Sequence, residues 1–212
     1  GLLMGGIPGV KPTRVVIIGA GTVAEYAARS AVGLGALVSV FDNSVARLRR
    51  MQSDLNFPIA TSIMQPKVLE KALKRADVAI GALRAKEGRT PCVISDEMVQ
   101  KMKPKSVIVD VSIDQGGCFE TSELTTHESP TFIKHDVIHY GVPNIASRVA
   151  KTASFSLSNI LAPLLLEVGE GGGVKGMLLR SPNIRGGVYV YNGIITNRGI
   201  GTWFDLPHKE IR

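Results

Sequence analysis

The sequence predicts an α/β fold: a doubly wound parallel sheet with helices on both faces, followed by an incomplete piece of a second domain. Three observations carry this prediction. Short, continuously apolar runs alternate with stretches of helical periodicity from Arg14 to Tyr140, as strands buried on both faces require. The first run ends in a glycine-rich turn that opens directly into an alanine-rich segment. The composition is that of a globular protein, with 44% hydrophobic, 20% charged and 5% aromatic residues in a chain of 212. That balance excludes disorder, collagen-like repeats and coiled coil, and the length suits one large domain or one domain and part of another.

Arg14–Ile18 reads as the first strand, followed by an alanine-rich helix over Val23–Leu34 and a second strand over Leu37–Phe41. Ser44–Leu55 has the pattern of a basic amphipathic helix with Ser44 as N-cap. A short strand near Ile59–Ile63 precedes a helix over Pro66–Arg75, where proline suits the first turn. Asp77–Ala82 and Ser106–Val111 are the next strands, separated by a helix over Ser95–Met102, and Val137–Tyr140 is the last. Lys151–Glu167 reads as a long apolar helix kinked at Pro163. The glycine-rich stretch Gly169–Gly176 reads as a hinge or mobile loop. After it, Val188–Tyr191 and Ile194–Thr196 flank Asn192-Gly193, a strong hairpin turn. Leu2, Leu3 and Met4 sit among glycines with nothing local to pack against, and the tail has little core of its own. The chain therefore reads as a fragment whose N-terminal part lies elsewhere.

Gly19-Ala-Gly21-Thr-Val-Ala24 has the G-x-G-x-x-G/A form between strand and helix. The first glycine permits the tight turn, the second lets backbone approach a pyrophosphate, and the small Ala24 keeps the helix close to its strand. The helix beginning near Thr22 and Val23 then points unpaired N–H groups at the phosphates. With six strands in this rhythm the expected order is 3-2-1-4-5-6, the Rossmann order, with ligand at the carboxyl ends of the strands. Asp42 ends the second strand about 20 residues beyond the loop, where a carboxylate takes ribose hydroxyls. A carboxylate there repels a 2′-phosphate, so the expected cofactor is NAD rather than NADP. Alternatively Asp42 only opens the following helix, and Arg47, one turn on, offers a phosphate partner.

The remaining chemistry-bearing residues point nowhere specific. The net charge is +7, from 25 Lys and Arg against 18 Asp and Glu, but the cations are scattered and lack interleaved aromatics, which disfavours nucleic acid. Cys92 and Cys118 make no disulfide framework, and Cys118 reads as packing. His127 and Glu128 read as surface loop; His135 and His139 lack a third ligand, so no metal site is expected. The longest unbroken apolar stretches, such as Leu161–Leu166, are too short to span a bilayer, and no signal peptide opens the chain. A soluble, cytoplasmic protein without a membrane partner is expected.

The stretch from Met102 to Glu120, MKPKSVIVDVSIDQGGCFE, resembles the alanine dehydrogenase/pyridine nucleotide transhydrogenase family. Gly5–Val10, Thr125–Thr131, Val142–Asn144 and Thr152–Asn159 extend the resemblance over nearly the whole chain. Asp114-Gln-Gly-Gly117 is similar to the dehydrogenase branch rather than the transhydrogenase branch. The resemblance implies two domains, with residues 1–10 a connecting segment, 11–150 the dinucleotide-binding domain and 151–212 part of a substrate domain. Its lysine and histidine for substrate binding and acid/base work would lie on an N-terminal half outside this chain. It also implies that Asp114 lies at the nicotinamide end of the cleft, Asn144 near the ring, and Asp42 with Arg47 on the adenosine side. Ala82, Leu83, Ile113 and Val142 would add backbone or apolar contacts. Oxidative deamination needs a proton acceptor and an attacking water, and a carboxylate at a strand's carboxyl end suits that task; an Asp capping a turn is the plainer alternative. The implied function is NAD-dependent deamination of L-alanine by a homo-oligomer, hexameric in the family. A transhydrogenase subunit and a non-catalytic NAD-binding module remain alternatives. Pro143, Ile145–Arg148, Ala150, the charged Leu83–Gly88 and the glycine-rich stretch depart from the family pattern and bear on substrate preference.

Overall fold

Successive side chains of a strand point to opposite faces, so a run apolar at every position needs cover on both. In the computed structural model, which describes residues 1–55, 57–85 and 89–211, β1 (Arg14–Ile18) meets that requirement. Val15 and Ile17 join one buried cluster with Val38, Val40, Leu48, Met51 and Leu55. Val16 and Ile18 join another, with Phe41, Leu69, Leu73, Ile94, Val99 and Ile108. Helices α1 (Thr22–Gly33) and α2 (Val45–Leu55) supply the first cluster. Helices α3 (Pro66–Leu73) and α4 (Asp96–Gln100) supply the second. Pro66 stands in the first turn of α3, and Ser95 caps α4 by accepting from the Met98 amide.

The expected six strands form in the expected order, as β1, β2 (Leu37–Phe41), β3 (Ala60–Ser62), β4 (Val78–Gly81), β5 (Val107–Asp110) and β7 (Val137–Tyr140). A seventh strand, β6 (Thr131–Lys134), adds to the expected six. It lies antiparallel to β7 at the edge, giving β3-β2-β1-β4-β5-β7-β6. Its outer position leaves Ile133 71% exposed, so it lacks the continuous apolar signal of the buried strands. Its turn, His135-Asp136, adopts positive φ at both residues without the usual glycine or asparagine.

The chain divides into two compact units, Gly1–Pro143 and Asn144–Arg212. At the start of the first, Met4 packs against the cluster around Val15 and Ile17, while Leu2 and Leu3 remain exposed. In the second, a 3₁₀ turn (Ile145–Val149) leads into α5 (Ala150–Glu170). The expected glycine hinge is largely helical. Only Gly171 and Gly172 interrupt the path to α6 (Gly173–Arg180), where Gly172 and Gly173 take positive φ and Arg180 donates to the Gly171 carbonyl. The unit ends with α7 (Pro182–Gly186), the predicted hairpin of β8 (Val190–Tyr191) and β9 (Ile194–Ile195), and α8 (Arg198–Phe204). Asn192 and Gly193 make its turn with φ of 49° and 78°.

None of the residues of α5 is buried, and Phe155, Leu157, Ile160, Leu161, Leu165 and Leu166 are exposed. By length and composition alone the stretch 145–170 qualifies to cross a membrane. Counting unbroken apolar runs overlooks this, because Ser154, Ser156 and Ser158 interrupt the run while barely lowering its hydropathy.

His139 on β7 is 1% exposed. The Val137 carbonyl 3.0 Å from Nδ1 can only accept, so that nitrogen carries the proton and Nε2 accepts from the Thr121 hydroxyl at 2.8 Å. Phe132 stacks on the ring at 4.8 Å. Burial, with Lys134 and His135 nearby, holds its pKa below the ordinary 6.5, against the Val137 bond and Glu123, which act upward. Because the folded-state pKa is lowered, the stability this neutral ring contributes is complete above pH 6.5 and is lost as pH falls towards the folded value. Urea unfolding below pH 6.5 should therefore show a steeper acid loss of stability in the wild type than in His139→Gln; equal slopes would contradict the assignment.

Candidate functional site

The site begins where β1 turns into α1. The Gly19 amide donates to the Phe41 carbonyl at 2.7 Å, and Gly19 has φ of 110°. A Cβ there would lie 2.5 Å from the carbonyl oxygen of Ala82, so only glycine fits between β1 and the end of β4. Gly21 differs. A Cβ on it would meet no protein atom within 4 Å, so packing does not demand glycine and the space beside it is open to a ligand. Gly21 caps α1 without a side-chain bond, leaving the first-turn amides of Thr22 and Val23 without a capping side chain. Ala24 is fully buried, which holds this helix start close to the sheet. Open space, a bare backbone and uncapped amides together fit a phosphate group.

Asp42, just past β2, is 5% exposed. Its Oδ2 accepts from the Ala20 amide at 2.8 Å, and its Oδ1 from the Ser44 amide at 2.7 Å. Arg47 stands 3.8 Å from Oδ2. The carboxylate thus braces the glycine loop as well as opening α2, a link that sequence spacing alone does not reveal. Ser44 also serves as the expected cap, with Oγ 3.4 Å from the Arg47 amide.

At the ends of β4 and β5 lies a cavity of about 240 Å³ lined by Val23, Ala82, Leu83, Arg84, Val111, Ser112, Asp114 and Gln115. It brings together three residues expected from the cofactor side, Val23, Ala82 and Leu83, with the expected catalytic residue Asp114. Asp114 is exposed within a 3₁₀ turn (Ile113–Gln115), followed by Gly116 and Gly117 at positive φ. Ser112 ties this turn to β4 by donating from Oγ to the Leu83 carbonyl at 2.7 Å. Ile113 and Val142 are 7% and 2% exposed and pack rather than line the cavity. Asn144 begins the second unit in left-handed conformation, φ 54°. In the sequence Arg84 shows only as excess charge; it is the one cation among the described lining residues. Lys86, Glu87 and Gly88, from the same charged stretch, lie outside the described residues.

Cys118 is buried, and its thiol pKa is pushed well above the ordinary range, by burial first and then by the Asp110 carboxylate. It is inert packing, as expected. His135 pairs with Asp96 at 2.9 Å, far in sequence from the glycine loop, and no group of three metal-ligating side chains occurs among the described residues.

This geometry has relatives. Alanine dehydrogenase of Mycobacterium tuberculosis (strain CDC 1551 / Oshkosh) is 40% identical over 210 residues, covering 99% of this chain and 56% of that protein. A solved L-alanine dehydrogenase has a TM-score of 0.87 at 36% identity, covering 97% of this chain and 56% of that one. The transhydrogenase from Sinorhizobium meliloti shares the fold, with a TM-score of 0.69 at 22% identity over 89% of this chain and 51% of its own. The chain thus spans about half the length of the curated relatives it matches. The alanine dehydrogenase/PNT, C-terminal domain family matches residues 1–198, and the chain belongs to that family.

Proposed function

We propose that this chain is the NAD-binding part of an amino-acid dehydrogenase acting on L-alanine: alanine, water and NAD⁺ give pyruvate, ammonium, NADH and a proton. One observation carries this reading. Val23, from the uncapped start of α1, and Asp114 line the same cavity, so a dinucleotide held at the glycine loop has a carboxylate at its far end. When bound, NAD supplies the hydride acceptor. Gly21, Thr22 and Val23 hold the diphosphate through backbone, and Asp42 receives ribose hydroxyls while repelling a 2′-phosphate. Arg84 offers its guanidinium to an anionic group in the cavity. Asp114 would take the proton from the substrate ammonium and release it to solvent, then take a proton from the water that attacks the imine carbon and return it to the nitrogen, which leaves as ammonium. In this reading residues 1–10 connect, 11–150 bind the dinucleotide and 151–212 belong to the substrate domain; residues outside this chain complete the substrate side.

The alanine dehydrogenase relatives, at 36–41% identity, support this over a transhydrogenase, whose solved relative is 22% identical and argues for the fold alone. We further propose a cytoplasmic homo-oligomer, in which partner subunits cover the apolar side chains of α5. Nucleic acid is not a proposed partner, since cations such as Arg29, Arg50, Lys101 and Lys103 pair with Glu25, Asp54, Glu70 and Asp77.

Fluorescence titration of this chain should show NADH binding tighter than NADPH, with Asp42→Ala weakening NADH by about tenfold or more through loss of charged hydrogen bonds. Tighter binding of NADPH would overturn the cofactor assignment. In the full-length protein carrying this chain, Asp114→Asn should lower alanine-dependent NADH formation by about 10²–10⁴-fold, the usual worth of a positioned general base. Undiminished turnover would remove Asp114 from the mechanism.

A further inference from the structure

The turn that carries Asp114 is built around a second carboxylate, which touches neither the cavity nor the glycine loop. Asp110 ends β5 with no exposed surface, directly opposite Gly81 in the parallel register. Its Oδ1 accepts from the Ser112 amide at 3.1 Å. Its Oδ2 accepts from the Cys118 amide at 2.9 Å and the Phe119 amide at 3.3 Å. The Cys118 thiol donates to Oδ1 at 3.8 Å. A Cβ on Gly81 would come within 2.8 Å of Oδ1, and one on Gly117 within 2.8 Å of Oδ2, so two glycines make room for this group. The donors lie on both sides of Asp114 in sequence: Ser112 before it, Cys118 and Phe119 after it. One buried carboxylate therefore clamps both ends of the loop whose middle faces the cavity.

We propose that Asp110 is a positioning residue for the site, setting the Ser112–Phe119 loop so that Asp114 faces the nicotinamide end of the bound dinucleotide. The proposal rests on the NAD-binding reading for its ligand, while the clamp itself rests on the hydrogen bonds alone. A buried carboxylate that only stabilised the fold would act on the whole domain equally. A positioning group acts on one end of the cleft. Bonds to a charged acceptor are the strong ones, and a buried donor deprived of its partner opens readily. Asparagine at this position keeps the shape but presents an amide nitrogen where a second acceptor oxygen is needed.

The test compares this chain with Asp110→Asn by backbone amide hydrogen exchange and by titration with NADH and with ADP-ribose, which lacks the nicotinamide. In Asp110→Asn the Cys118 and Phe119 amides should exchange about tenfold faster or more, while Ile17 and Val40 amides on strands β1 and β2 keep their protection. NADH affinity should fall about threefold or more with ADP-ribose affinity unchanged, since only the nicotinamide end is disturbed. Unchanged protection of the loop amides, or equal weakening of both ligands, would overturn the proposal. Should Asp110→Asn fail to fold, Gly117→Ala presses on the same carboxylate from the loop side, and the same pattern is required of it. Failure of the wild-type chain to bind either ligand would count against the NAD reading, and the exchange rates would still decide whether the clamp exists.

Discussion

The close approach of Gly19 to the carbonyl of Ala82 is the constraint on which the site depends. With a Cβ placed 2.5 Å from that oxygen, no other residue lets β1 stop there and turn at once into α1 beside the end of β4. The turn delivers the uncapped start of α1 to the cavity at the ends of β4 and β5, so Val23 and Asp114 share one space. Asp42 fixes the turn from the other side through the Ala20 amide. Everything chemical in the first unit lies at the carboxyl ends of parallel strands, where loops are free of sheet pairing and helix starts converge.

Two buried carboxylates do similar work on either side of this point. Asp42 braces the glycine loop and Asp110 braces the loop of Asp114, each by accepting backbone amides rather than by pairing with a buried cation. Such bonds satisfy donors that the turns would otherwise leave orphaned. They also hold the loops in fixed shape without covering them, so the surfaces facing the ligand stay open.

Much of this was legible in the sequence because it follows from strong local signals. Runs such as Val15–Ile18 can be buried only on two faces, and glycines at 19 and 21 between strand and helix have few structural uses. The hairpin at Asn192-Gly193 followed from its turn chemistry alone. The features that are not legible there depend on long-range or weak signals. Strand β6 alternates exposed and half-buried residues with Ile133 outward, a pattern too short to separate from loop. The glycines around the end of α5 have the composition of a mobile loop, yet Gly172 and Gly173 take positive φ where one helix gives way to the next. The bond from Ala20 to Asp42 joins residues 22 apart, and nothing in either residue's neighbourhood announces it. Asp110 falls inside the expected strand Ser106–Val111, where nothing sets it apart; its role shows only in the room that Gly81 opposite and Gly117 beyond it leave.

A glycine loop shaped for a ligand and not for packing should respond differently to a methyl group at its two glycines. A methyl at Gly21 meets no protein atom, whereas one at Gly19 meets the Ala82 backbone. Thermal unfolding of both alanine variants, together with NADH titration of Gly21→Ala, separates the two roles. Gly19→Ala should be strongly destabilised, while Gly21→Ala should melt with the wild type and lose NADH affinity by about tenfold or more, the methyl standing where the diphosphate approaches the backbone. Wild-type NADH affinity in a stably folded Gly21→Ala would show that the open space beside Gly21 is not where the dinucleotide binds.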